Sequence, residues 1–207
     1  MGETEYTIGA EVRCADGTFG ELRKVVVDPV GRVLTHLVVE ERHRTGLGKL
    51  VPLELVTAAD ADAVTLSCTR SELDSMPRAE EVQFLPGAQG LLGYETPDVL
   101  PLPYYLLGAN DAVPPTVGDL VPSGELALRR DAPVHATDGV VGQLEGLAVG
   151  QDRRTVTHLL LQEGHLFGHD DVAIPIAHVT SMDDDGVRLD LTKDEVAALP
   201  PVDVDRS

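Results

Sequence analysis

The sequence predicts an all-β protein: two small barrels of about six strands each, each closed by a short helix and joined by a connector rich in Pro, Gly, Leu and aromatic residues. Three observations carry this. A segment near the start recurs near the end with its Asp-Gly, Gly and Thr-His-Leu positions at one fixed spacing. Short β-branched and aliphatic runs alternate with tight-turn signals. Aromatics make up only 3% of the 207 residues and Trp is absent, so the core must come from Val, Leu, Ile and Ala.

The repeat sets the boundaries. Val12-Arg-Cys-Ala-Asp-Gly-Thr-Phe-Gly20 aligns with Val134-His-Ala-Thr-Asp-Gly-Val-Val-Gly142, at a spacing of 122 residues. The match runs on without a gap to Thr35-His36-Leu37-Val38-Val39-Glu40 against Thr157-His158-Leu159-Leu160-Leu161-Gln162. One inserted residue then shifts the spacing to 123, so that Pro52 meets Pro175 and Pro77 meets Pro200. Unit one is therefore drawn over 8–77, the connector over 78–129 and unit two over 130–201.

Within each unit, Asp16-Gly17 and Asp138-Gly139 predict hairpin turns. Gly20–Asp28 and Gly142–Gly150 read as second strands, Val33–Glu40 and Thr155–Gln162 as long central strands. Lys49–Leu53 and Val172–Ile176 give a fourth strand, and two short strands follow in each unit. Thr69-x-x-Glu72 and Thr192-x-x-Glu195 are capping boxes that open a short helix, and Pro77 and Pro200 end it. So many short strands in so few residues suggest a small barrel.

The connector is punctuated by Pro and Gly, which predicts no regular structure there. It is also apolar. Phe84, Tyr94, Tyr104 and Tyr105 are four of the chain's seven aromatics, and Leu91, Leu92, Leu100, Leu102, Leu106 and Leu107 join them. Burying such side chains is worth about 1.5–3 kcal/mol each. The segment is expected to dock on a barrel, between the barrels or onto another subunit, and these four aromatics are the candidate interaction residues.

The formal net charge is −19, from 16 Lys and Arg against 35 Asp and Glu. That disfavours nucleic acid and anionic membrane surfaces and favours a neutral or basic partner. Charge is uneven: residues 12–77 carry 8 basic and 10 acidic side chains, residues 134–200 carry 4 and 12. Arg23, Lys24, Arg32, Arg42, Arg44 and Lys49 are a candidate basic patch on unit one, which could meet the acidic second unit within the chain or between chains. Two cysteines without CxxC spacing make no disulfide framework. Cys14 and Cys68 fall on the first and last strands of unit one, where either buried thiols or a bridge would fit. The N-terminus does not read as a signal peptide, no apolar run reaches transmembrane length, and a reduced cytosol is expected.

Each unit resembles the PRC-barrel domain. The resemblance rests on Asp16-Gly17 to Gly20 with Thr35-His36-Leu37-Val38-Val39, and on Asp138-Gly139 to Gly142 with Thr157-His158-Leu159-Leu160. The stretch Gly164-His-Leu-Phe-Gly-His-Asp-Asp-Val-Ala-Ile-Pro175 also looks like the second half of tandem bacterial members. The resemblance covers both units and excludes the connector. It implies no enzymatic activity, no cofactor and a role as a protein-interaction module. It links tandem free-standing members to bacterial stress responses, and other members to ribosome maturation.

The chemistry-bearing residues are weighed against that plan. His36 and His158 hold one repeat position, which points to the fold rather than to a single active site. By strict alternation His36 shares a face with Leu34 and Val38, and His158 with Val156 and Leu160. His43 and His165 also match. His169, Asp170 and Asp171 have no counterpart in unit one, so His165, His169, Asp170 and Asp171 are weak candidates for a divalent-cation site. Asp183-Asp184-Asp185-Gly186 reads as a solvated turn, and no nucleophile elbow or phosphate loop occurs. The expected function is a non-enzymatic scaffold that acts through protein contacts and self-association. A ribosome-associated assembly factor and a metal-binding protein are the alternatives.

Overall fold

The computed structural model describes residues 3–42, 48–83, 116–163 and 172–199. They are predominantly β-structure. Unit one supplies β2 (Glu11–Cys14), β3 (Gly17–Asp28), β4 (Val33–Glu41), β5 (Lys49–Pro52), β6 (Val56–Ala59), β7 (Ala63–Leu66) and helix α1 (Arg70–Asp74). Unit two supplies β11 (Pro133–Ala136), β12 (Gly139–Val149), β13 (Val156–Glu163), β14 (Val172–Pro175), β15 (Val179–Asp183), β16 (Gly186–Leu189) and α2 (Lys193–Ala197). The two sheets have the same order, β5-β4-β3-β2-β7-β6 and β14-β13-β12-β11-β16-β15. In each, the first and last of the six strands pair in parallel, β2 with β7 and β11 with β16, and the rest pair antiparallel.

A seventh strand completes each sheet, and it comes from the wrong side of the chain. β1 (Thr4–Thr7) precedes unit one but pairs with β12 of unit two. β10 (Leu126–Arg129) precedes unit two but pairs with β3 of unit one. The two exchanges are equivalent: Thr4 faces Val149 and Leu126 faces Val27, each position 122 residues from its counterpart. Gly9, at φ +106, marks the crossing. Before it, the Ile8 amide still donates to Glu145 O of sheet two at 2.8 Å, whereas the Gly9 amide donates to Leu22 O of sheet one at 2.7 Å.

The exchange needs close approach. A Cβ on Gly146 would stand 2.3 Å from the carbonyl oxygen of Tyr6 on β1. Gly20 is just as constrained, because a Cβ there would lie 1.8 Å from Glu40 O on the neighbouring strand. Bulges at repeat-equivalent places bend the long strands, with Arg23 and Glu145 as the extra residues on β3 and β12.

The connector is more ordered than its Pro and Gly content predicts. Besides β10, it forms a two-stranded ribbon of β8 (Glu80–Gln83) and β9 (Thr116–Asp119). The ribbon is tied to unit one: Ala79 N donates to Gly48 O at 2.8 Å, and Leu120 N to Ala79 O at 2.7 Å. Ala79 and Val121 pack over Val26 and Val38 on the outer face of sheet one. Tertiary pairing thus overrides local composition.

One contiguous core runs through both units, from Tyr6, Leu22 and Leu37 to Leu144, Leu159 and Ile174. Tyr6 on β1 and Leu128 on β10, both almost fully buried, are the exchanged strands' contributions to it. Burial of each is worth about 1.5–3 kcal/mol.

Each unit ends in its capping box. Glu72 accepts from Thr69 N and Thr69 Oγ1 at 2.8 Å each, and Glu195 accepts equally from Thr192. The hairpin aspartates add a second cap: Asp16 Oδ1 accepts from Arg70 N at 2.8 Å and Asp138 Oδ1 from Lys193 N at 2.9 Å.

The Gly146→Ala variant is expected to lose about 2 kcal/mol or more, because a backbone oxygen must move. Hydrogen exchange should show Thr4–Thr7 amides losing protection first. Backbone amides at Thr69 and Thr192 hold the Glu72 and Glu195 carboxyls below the usual range. Their folded-state pKa is lowered, so their contribution is present above the ordinary Glu range and is lost as pH falls through the depressed value. Thermal melts should show Glu72→Gln/Glu195→Gln less stable than wild type at pH 7, with the gap closing on acidification.

Candidate functional site

The residues that the repeat singles out meet at the exchanged strands. On β4, His36 pairs with Val26 while Leu34 pairs with Val27, so Thr35 is an extra residue in a bulge. On β13, His158 pairs with Ala148 while Val156 pairs with Val149, and Thr157 is the extra residue. The bulge corrects strict alternation. Leu34 and Val156 turn into the core, while His36 stays with Val38 and His158 with Leu160, outside that core. Each bulge threonine ties itself down: Thr35 Oγ1 donates to Val26 O at 3.1 Å, and Thr157 Oγ1 to Ala148 O at 3.2 Å.

Each imidazole then faces a carboxylate brought by the exchanged segment. His36 Nδ1 lies 3.4 Å from Glu125 Oε2, just before β10, and His158 Nδ1 lies 3.4 Å from Glu3 Oε2, just before β1. The two glutamates are themselves repeat partners, preceded by Gly2 and Gly124. Both Nδ1 atoms are buried and have no aligned hydrogen bond, so the pairing is one of proximity. Glu125 also accepts a short hydrogen bond from Thr35 Oγ1.

Arginines stitch the same boundary. Arg32 Nη2 donates to Val179 O of β15 at 3.1 Å, and Arg153 Nη1 to Thr57 O of β6 at 3.1 Å. Each guanidinium caps the free edge of the other unit's sheet. Both residues adopt positive φ, +53 for Arg32 and +58 for Arg153, in the turns before β4 and β13. Between those turns, Leu34 N donates to Arg154 O at 2.8 Å and Val156 N to Arg32 O at 2.9 Å. Val33 bridges its own counterpart, Thr155, which places the pseudo-two-fold axis at this point. Arg154 also pairs with Glu54. Glu54's own backbone amide, and then Arg154, hold that carboxyl below its usual range.

The basic patch expected on unit one is largely committed. Arg32 points across the boundary, Arg23 pairs with Glu40 at 2.6 Å, and Lys49 pairs with Asp74 and reaches the end of α1. Lys24 has partners too, and Arg44 lies outside the described residues.

The remaining candidates divide cleanly. His43, His165, His169, Asp170 and Asp171 lie outside the described residues, as do Phe84, Tyr94, Tyr104 and Tyr105. Among the described residues, no three His, Cys, Asp or Glu side chains converge on a metal-sized site. Asp183 Oδ1 accepts from Asp185 N at 3.0 Å in a turn closed by Gly186 at φ +129. Cys14 and Cys68 are both free and buried. No helix among the described residues is long and apolar enough to cross a membrane.

Sequence reasoning missed Glu3, Glu125 and Arg153 as boundary residues, whereas Arg32 belongs to the basic patch expected to meet unit two. The Gly-Glu identity at spacing 122 was a usable signal for the glutamates. Arg32 matches Arg154 at the same spacing, whereas Arg153 stands opposite Gly31 and carries no such signal. No family model matches the chain, and no curated protein matches it.

The His–Glu pairs are partly exposed, so each should be worth no more than about 1 kcal/mol. A double-mutant cycle on His36→Ala and Glu125→Ala, read by chemical denaturation, should give coupling of that size. The same cycle on His158 and Glu3 should match it. Zero coupling in both would show that the pairs do not hold the boundary.

Proposed function

We propose that the protein is a non-enzymatic scaffold, a tandem of PRC-like barrels that presents its connector to a protein partner. The reading rests foremost on one observation: the repeated imidazoles and carboxylates serve the junction between the units. Residue types that could run acid/base chemistry are spent on architecture, twice over and in register. Closed barrels of the PRC type are part of the proposal, as is a place in the cytoplasm and in a bacterial stress response.

The ribbon adds support. Gln83 faces Thr116 across β8 and β9, so the flanks of the segment 84–115 are paired side by side. A link between the units does not need that segment, since β10 is reached only after the ribbon closes. Its Phe84, Tyr94, Tyr104 and Tyr105 are the proposed contact residues. With a net charge of −19, the partner is a neutral or basic protein, or a second copy of the chain.

The quadruple variant Phe84→Ser/Tyr94→Ser/Tyr104→Ser/Tyr105→Ser separates contact from fold. It should keep wild-type circular dichroism and melting, while light scattering and crosslinking in host extract show lost self-association and lost partner capture. Unchanged association would overturn the connector as the contact surface. Salt-sensitive co-sedimentation with ribosomes would favour an assembly factor instead. Stoichiometric metal that disappears in His165→Ala/His169→Ala would favour the metal-binding alternative.

A further inference from the structure

Cys14 ends β2, and Cys68 follows β7 two residues after that strand closes. The two strands pair in parallel, Val12 with Val64 and Arg13 with Thr65. The pairing continues past their ends, where Ala15 N donates to Cys68 O at 3.0 Å. The backbones are thus locked side by side where the thiols emerge. Each cysteine is 6% exposed, and both are free. Unit two carries Ala136 and Leu191 at the matching positions, so the arrangement belongs to one unit only.

We propose that Cys14 and Cys68 are an oxidative modification site, at which a peroxide converts the two thiols into an intrachain disulfide. One thiolate attacks a peroxide oxygen. The O–O bond breaks, hydroxide leaves and takes up a proton as water, and the cysteine becomes a sulfenic acid. The second sulfur, losing its proton, then displaces hydroxide from the first, and a second water departs. Two thiols are oxidised to one disulfide, and one peroxide is reduced to two waters.

The rate is set by the surroundings. Burial first, and then the neighbouring Cys68, push the Cys14 thiol up to about 12. Thiolate is therefore scarce at neutral pH, and the pair is a slow cross-link rather than a fast peroxide scavenger. The bond would close a loop of 53 intervening residues, holding the start of α1 against the first hairpin.

The test uses the full folded chain, incubated with excess hydrogen peroxide, quenched and analysed by intact mass and thiol titration under denaturing conditions. The expected product is monomeric, lighter by about 2 Da, without free thiols, and restored by dithiothreitol. Oxidation should speed up as pH rises, and Cys68→Ser should gain oxygen instead of losing hydrogen. Two intact thiols after prolonged exposure, oxygen adducts alone in the wild type, an interchain dimer, or bridging that needs denaturant would each overturn the proposal.

Discussion

The reciprocal exchange of β1 and β10 is the constraint on which the rest of the molecule depends. Each unit's own six strands leave the C-terminal half of a long strand, β3 or β12, without a neighbour on one side. The other unit's leading strand fills it. Because the exchange is mutual, neither sheet is complete without the other, and the apolar interior becomes one body. The His–Glu pairs, the arginine caps and the Val33–Thr155 bridge all sit where this exchange brings the units together. Small domains of some 70 residues bury a limited fraction of their surface, and a shared interior offsets that shortfall.

The junction also manages exposed strand edges. β6 and β15 are the terminal strands of their sheets and would offer unpaired carbonyls to any passing chain. Arg153 and Arg32 occupy those carbonyls from across the boundary. The two arginines reach equivalent targets from non-equivalent turn positions. The pseudo-symmetry is therefore one of contacts rather than of residue identity.

Much of this was legible in the sequence. The repeat, the order of strands within each unit, the Asp-Gly hairpins and both capping boxes follow from local patterns that act over a few residues. The exchange was not legible, because Thr4–Thr7 and Leu126–Arg129 are short and carry no mark of which sheet they join. Period-two alternation placed His36 beside Leu34, and the Thr35 bulge, which alternation cannot anticipate, separated them. β8 and β9 were hidden because their pairing spans a long insertion, and composition reports only on neighbours. The second role of Asp16 and Asp138, as acceptors for helix amides, was masked by their stronger signal as turn residues.

The exchange also fixes an order of events during synthesis. Thr4 pairs with Val149, 145 residues further along the chain. When β1 leaves the ribosome its partner has not been translated, and sheet one still waits for β10. The first unit must therefore persist as an incomplete sheet, with the strand that carries Tyr6 unpaired, until most of the chain has emerged. Such long-range closure makes for slow folding. It also makes the nascent first half a natural client for chaperones, although the finished molecule keeps that strand buried.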